Sequence, residues 1–432
     1  MSTVIYWFRN DLRLLDNPAF LLACNQSSHV LPVFCHNPAD RALTHWGFER
    51  VGAHRRAFLA TTLADLGAQL TARGRALIEL TGRAEEILPL LARELGVTRI
   101  VCEAIAAPDE QDAVQALRAA GMVVDTVWQS SLLDPDALPF SVRQLPDMFT
   151  LFRQAVEKAS VAPYAPVDFP QTIPPLPVLP APLPNRHNDL PPAVPDIDGR
   201  TSFPYQLAAC AGGTTAALAH LHQYMDRKLA HTYKDTRNGL TGLDYSSKFS
   251  PWLATGALSA RSVNAAIEQF EDEFGANDST YWLWFELMWR DYFRFLHLKY
   301  GRKLYRYHGL AEISSVRPVH DAALFVRWSR GETGEPIVDA GMHELAATGY
   351  LSNRLRQIVA SYLIHDLDGD WRAGAAWFES QLVDFDVYSN QGNWLSLAGR
   401  GTDPRGGRRF NPQKQARDYD ANGAYRALWK SA

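Results

Sequence analysis

Between Ala162 and Pro195 the chain is built largely from proline and small residues, with no run that pairs as helix or sheet. Proline fixes φ and lacks a backbone donor, so such a passage runs extended and joins what lies on either side. More than thirty residues of that kind sit poorly inside one compact domain. The passage therefore divides the chain, and the expected organisation is residues 1–135, a connecting segment 136–200, and residues 201–432. A length of 432 residues suits two cores better than one.

The two parts differ in pattern. Before the proline passage, short apolar runs alternate with longer amphipathic ones. Strands are expected at Thr3–Phe8, Val30–Cys35, Leu77–Leu80, Arg99–Glu103 and Val123–Trp128, with a helix over Val51–Ala72. That alternation predicts an α/β fold, a doubly wound parallel sheet covered by helices on both faces. No GxGxxG follows the first strand, so a dinucleotide fingerprint is missing there. After Thr214 the pattern is helical almost throughout. Three of the twelve tryptophans precede Pro251 and nine follow it, so the second part is an aromatic-rich helical body, either a large core or the bed of a planar cofactor.

Composition narrows the functions. The formal charge is −4, so nucleic-acid contact requires a local basic patch. The four cysteines are scattered, with no CxxC and no His/Cys cluster, which predicts neither a zinc site nor a disulfide framework and suits a reducing cytoplasm. No apolar run reaches about twenty residues, and the opening turns polar too soon for a signal peptide.

Five stretches carry candidate chemistry. In YKDTRNGLTGLDYSSKFSPW, Ser246, Ser247, Lys248 and Ser250 crowd ahead of Pro251, a residue suited to a helix's first turn. Hydroxyls, an ammonium and free helix N–H groups suit a pyrophosphate; a serine cap with a solvated lysine fits the same letters. In the helix expected over Tyr281–Tyr300, Glu286, Trp289 and Arg290 share a face. They form either a helix ion pair or a cavity wall that hydrogen-bonds and stacks a base. Asn353, Arg354 and Arg356 follow a Gly349 turn and start a helix, a set able to bind a carboxylate, a phosphate or a heterocycle edge. Asp384 and Asp386 point the same way if extended, and Arg356 is a candidate partner for a buried aspartate. Arg400, Arg405, Arg408, Arg409, Lys414 and Arg417 form a glycine-rich basic stretch around Phe410, either solvated or guiding a nucleic-acid backbone.

Taken in order, YKDTRNGLTGLDYSSKFSPWLATGALS, STYWLWFELMWRDYFRF, GETGEPIVDAGMHELAATGYLSNRLRQIVAS and DWRAGAAWFESQLVDFDVYSN resemble the photolyase/cryptochrome family, most closely its DASH branch. The resemblance runs over nearly the whole chain. It implies an FAD-binding helical domain and blue-light chemistry. Tyr233, Ser246, Ser247, Lys248, Phe249 and Ser250 would hold the pyrophosphate and adenine side. Arg356 and Asp384 would pair beside the flavin ring, Asp386 would sit at its edge, and Asn390 would face its N5. Trp394 and then Trp371 would pass electrons inward. Glu286, Trp289 and Asn353 would line the substrate cavity. Arg290, Arg354, Arg405, Arg408, Arg409 and Lys414 would contact DNA. The implied reaction is light-driven cleavage of cyclobutane pyrimidine dimers, a carbon–carbon lyase activity favouring single-stranded DNA, by a monomer. The alternative is a photoreceptor with little repair.

The chain departs from the family's pattern at several places. Pro318 stands where an outer tryptophan is common, Gln391 where an aromatic is usual, and Ser396 where an aromatic clamps the dimer. His343 replaces a frequent arginine and Leu355 a frequent glycine. A folate antenna (methenyltetrahydrofolate) is the family's common second chromophore. With Ala107 and Pro108 at its expected acid, the resemblance leaves Glu103, Asp109 or Glu110 to substitute.

Overall fold

The computed structural model describes residues 2–187, 195–196, 198–311, 320–403 and 406–430. Five parallel strands, β1 (Thr3–Phe8), β2 (His29–His36), β3 (Ile78–Thr81), β4 (Arg99–Glu103) and β5 (Val123–Val127), form one sheet in the order β3-β2-β1-β4-β5. Each expected strand is present within one or two residues. β1 reads as a continuous apolar run because both its faces are covered, Ile5 and Trp7 packing on one side and Val4, Tyr6 and Phe8 on the other. The strand order reverses between β1 and β4, the place where open α/β sheets usually take a ligand. Here the chain's own polar groups fill it. Asp11 accepts from Tyr6 Oη and from Gln129 Nε2 (3.0 Å), while Arg9 donates to the carbonyl of Glu103 (3.1 Å).

The described part of the proline passage, residues 162–187, holds no helix or strand, and it is docked. Asp16 N donates to Val167 O (2.9 Å) and Val30 N to Pro175 O (3.2 Å). Arg75 reaches the carbonyls of Ile173 and Pro174 (2.9 and 2.8 Å). Asn185–His187 runs along β3, with Thr81 N donating to Asn185 O (2.8 Å) and His187 N to Glu79 O (2.9 Å). This strap covers an edge strand that would otherwise present unpaired backbone groups. The connecting segment also holds a helix, Phe149–Lys158, whose apolar face the proline count gave no reason to expect.

Beyond Thr214 the described residues are helical or irregular. The central element is the helix Asp278–Tyr300. It starts one turn ahead of the aromatic run because Asn277 forms a capping box with Thr280. It also makes much of the seam between the two parts. Asp291 accepts the N–H groups of Leu132 and Leu133 (2.9 and 2.8 Å), and burial raises its carboxyl to about 6 against those bonds. Elsewhere on the seam Arg261 holds Asp16 through three contacts of 2.9–3.1 Å, and Arg13 donates to Gly256 O (2.9 Å). Gly256 has φ +71°, and a Cβ there would lie 1.9 Å from Asn10 O, so glycine alone permits that approach.

The Arg261–Asp16 pair is almost fully enclosed, with side-chain exposures of 9 % and 0 %. Removing one member leaves a buried charge without its counter-charge. Arg261→Met is expected to lower stability by about 3–5 kcal/mol, read as a fall in the urea unfolding midpoint. The double variant Arg261→Met/Asp16→Asn is expected to recover most of that loss.

Candidate active site

A cavity opens into the helical part. The helix Asn353–His365 supplies Asn353, Arg356 and Gln357; the helix Trp371–Gln381 supplies Phe378; the helix Val387–Leu397 supplies Asn390 and Trp394. Asp384 and Asp386 come from the short connection before the last helix. Asp384 sits in a turn closed by Phe385 N donating to Leu382 O (3.1 Å), Asp386 is extended, and both line the cavity; Asp386 then caps the helix by accepting Ser389 N (2.7 Å).

The two acids are held differently. Arg356 Nη2 (2.8 Å) and Ser250 Oγ (2.7 Å) both donate to Asp384 Oδ2. Asp384 Oδ1 is buried and makes no hydrogen bond. Asp386 Oδ2 accepts from Arg294 Nη2 (2.6 Å). Burial alone would raise the Asp386 carboxyl, but Arg294, Arg290 and Ser389 outweigh it and hold it below the usual carboxylate range. Asn390 Nδ2 donates to Ala375 O (3.0 Å), which fixes its carboxamide. Trp394 is 1 % exposed and meets the Phe378 ring edge-on at 5.1 Å. Trp371 belongs to the same buried cluster and donates Nε1 to Tyr307 O (3.1 Å).

The structure brings together Asn353, Arg356, Asp384, Asp386, Asn390 and Trp394 around one cavity. The other sequence candidates lie around it or are engaged elsewhere. Glu286 does not pair with Arg290; its partner is Arg237 (2.6 Å), and burial raises its carboxyl against that guanidinium. Arg290 is turned into the seam, donating to the carbonyls of Ser130 and Leu253. Burial, with Arg294 close by, lowers it to about 10. Both carbonyls are protein groups, so Arg290 is engaged within the fold. Trp289 stacks on Phe149 with centroids 3.7 Å apart and planes at 11°.

In the anion motif, Tyr233 and Phe249 are buried and Ser250 reaches Asp384. Ser247 uses its carbonyl to accept from His220 (2.8 Å), and Ser246 bonds the Tyr350 hydroxyl. Lys248 is not the solvated lysine that the serine-cap reading allowed, because its ammonium is buried over Tyr245. Arg354 donates to Asn238 Oδ1 (3.1 Å) and lies over the Tyr419 ring. Arg408, Arg409 and Lys414 are exposed, Arg409 being paired with Asp366 (2.5 Å). Arg405 and Pro318 fall outside the described residues.

Sequence reasoning missed Arg237, Arg294, Gln357 and Phe378. Arg294 stands four residues after Arg290, so helical spacing pointed to a second cation on that face. Gln391 spends its amide on Leu304 O (2.7 Å), and Leu355 is core. His343 Nδ1 bonds Trp429 O (2.9 Å).

A second cavity lies between the β4–Pro108 connection, Trp128 and the end of the Asp278–Tyr300 helix. It includes Ala104, Ala106, Gln111, Asp112, Arg118 and Arg302. None of the three acids expected to substitute in an antenna site lines it. Glu103 is buried with Oε2 unbonded, and Asp109 pairs with Arg50 (3.1 Å). Arg9 reaches the backbone carbonyl of Glu110 (3.1 Å).

Residues 4–175 match the family model for DNA photolyase, and residues 282–431 match that for the FAD binding domain of DNA photolyase. Cryptochrome DASH of Xenopus laevis is 44 % identical over 99 % of this chain and 82 % of its own length. Cryptochrome DASH of Gloeobacter violaceus is 42 % identical over 99 % of this chain and 85 % of its own. The chain belongs to the photolyase/cryptochrome family, in its cryptochrome DASH branch. Among solved structures, the Synechocystis cryptochrome superposes with a TM-score of 0.90 at 40 % identity, covering 99 % of this chain and 88 % of that one. A class III photolyase from Agrobacterium tumefaciens gives 0.81 at 30 % identity, covering 99 % and 86 %. The family's cofactor is FAD, and the cavity fits it: an unbonded buried carboxylate oxygen at Asp384 is the acceptor that a flavin ring N–H requires.

Gly374 makes room for Trp394. A Cβ at that position would lie 2.2 Å from Trp394 Cη2. Gly374→Ala is expected to destabilise by about 1–3 kcal/mol through overpacking. Gly67→Ala, with nothing within 4 Å, is the control and is expected to be neutral or stabilising in the same thermal melts.

Proposed function

We propose that this chain uses FAD in the first cavity to split cyclobutane pyrimidine dimers in DNA under blue light, acting as a carbon–carbon lyase. The observation that carries the reading is the convergence of Arg356, Asp384, Asp386, Asn390 and Trp394 on one cavity in a chain of this family. Bound FAD supplies a light-driven electron that passes to the dimer and returns after its two inter-base carbon–carbon bonds break, so there is no net redox change.

The protein's part is binding and orientation. The Arg356–Asp384 pair fixes the carboxylate so that Oδ1 is left for a ring N–H. Arg294 keeps Asp386 ionised inside the protein, giving a fixed negative charge at the cavity edge. Trp394 is an oxidisable ring sealed into the wall, and Trp371 belongs to the same buried cluster. Arg237 steadies Glu286 and Phe149 braces Trp289, so the two stand ready to hydrogen-bond and stack a flipped base. Arg354, Arg408 and Lys414 are the cations available to a DNA backbone. With Ser396 in place of the family's clamping aromatic, a substrate already unpaired is favoured, because single strands cost less to present. A folate-type antenna would sit in the second cavity, whose polar lining is Gln111, Asp112, Gln115, Arg118, Thr126 and Arg302, with Asp112 paired to Arg302.

The test is dimer loss from an oligonucleotide incubated with reduced protein, light against dark, single strand against duplex. Loss only in the light and chiefly on the single strand is the expected result. Photoreduction with no dimer loss anywhere would favour the sensor reading that Ser396 also permits. Trp394→Phe is expected to slow photoreduction by at least about tenfold, followed by flavin absorbance, since removing a near donor closes the shortest electron path.

A further inference from the structure

Lys248 sits in the middle of the strongest anion motif and does not face outward. It is 3 % exposed, and its Nζ makes no hydrogen bond. The ammonium lies 3.3 Å from the centre of the Tyr245 ring and 4.9 Å from that of Tyr350. Its backbone has φ +57°, in the left-handed region that a lysine adopts only when its surroundings impose it. Something beneath the loop holds this side chain down.

A buried ammonium needs a counter-charge. The negative groups that act on Lys248 are Glu344, Asp384 and Asp244; Arg356 and His220 oppose them, and the Cys210 thiol adjoins. Asp384 is committed to Arg356 and Ser250, and Asp244 is exposed and paired with Arg227. Glu344 is different. It is 1 % exposed and makes no ion pair among the described residues. Its Oε2 accepts from Tyr425 Oη (2.6 Å) and its Oε1 from Ser202 Oγ (3.4 Å). Ser202 Oγ in turn lies 3.4 Å from Tyr245 Oη, the ring that carries the ammonium. Lys248, Tyr245, Ser202, Glu344 and Tyr425 thus form one buried chain from the loop to the helix Ala424–Leu428.

We propose that Glu344 is a positioning residue for the cofactor's phosphate end, holding the loop 246–250 in its receiving conformation through Lys248 and Tyr245. This rests on the reading of that loop as the pyrophosphate site. Tyr425 donates to the same carboxylate, so the C-terminal helix is fastened to the loop's support.

FAD titrated into purified apo-protein, followed by quenching of flavin fluorescence, tests this. Glu344→Gln and Lys248→Met are each expected to weaken binding about tenfold, and the double variant to return to within about threefold of the unmodified chain, since both buried charges are then gone. Tyr245→Phe keeps the ring face but removes the hydroxyl that meets Ser202, and is expected to weaken FAD binding less than Lys248→Met, while Tyr245→Leu behaves as Lys248→Met does. Unfolding midpoints are measured alongside. Single-variant losses that track a lowered midpoint and are not recovered in the double variant overturn the inference. Ser247→Ala/Ser250→Ala separates the two claims. If it weakens FAD while Lys248→Met and Glu344→Gln bind normally, the inference fails and the loop reading stands. If it leaves FAD affinity unchanged, the loop is not the phosphate site and both fail.

Discussion

The ion pair between Arg294 and Asp386 is the contact on which the rest of the architecture leans. Arg294 belongs to the helix that makes the seam, and Asp386 caps the helix that carries Asn390 and Trp394. Both charges are buried, so neither tolerates the loss of the other. One turn earlier on the seam helix, Asp291 ties down Leu132 and Leu133, and Arg290 reaches Ser130. One helix therefore registers the α/β part against the cavity wall. Tyr388, next but one to Asp386, adds a second tie by accepting Ala106 N–H at 2.7 Å, at the rim of the second cavity. The two cavities are joined through buried polar groups.

This arrangement explains why the sheet's own ligand position is closed. An open α/β unit offers its crevice where the strand order reverses. Here Asp11, Arg9, Gln129 and the seam contacts of Arg13 occupy that ground. The ligand site has moved to the helical part, where aromatic residues supply low polarity and arginines supply paired charge. Lys248 follows the same economy: a residue whose type suggests a phosphate hook acts as an internal strut.

Much of this was legible in the sequence, for identifiable reasons. The strands of the sheet announce themselves because a parallel sheet buried on both faces needs unbroken apolar runs, and Thr3–Phe8 is one. The Asp384–Arg356 pairing was legible because a buried acid demands a cation and Arg356 stood in the adjacent motif. Glu286 and Arg290 show the limit. Helical spacing made them partners, but each found a better one across the fold, Arg237 and two backbone carbonyls, which no local pattern encodes. Arg237 and Phe149 were missed because their significance lies in what they touch, more than forty residues away in each case. The direction of Lys248 was hidden for the same reason, since its counter-charge, Glu344, lies far along the chain on the helix Pro336–Thr348.

The central claim is that the free oxygen of Asp384 receives the flavin ring. Asp384→Asn keeps the shape of the side chain and removes the charge that binds Arg356 and faces the cavity. Its FAD affinity, measured by equilibrium titration of apo-protein, is expected to fall at least about tenfold, with the fold retained in far-ultraviolet circular dichroism. Undiminished affinity in that variant would contradict the account, because the cofactor would then be held without the group around which the cavity is built.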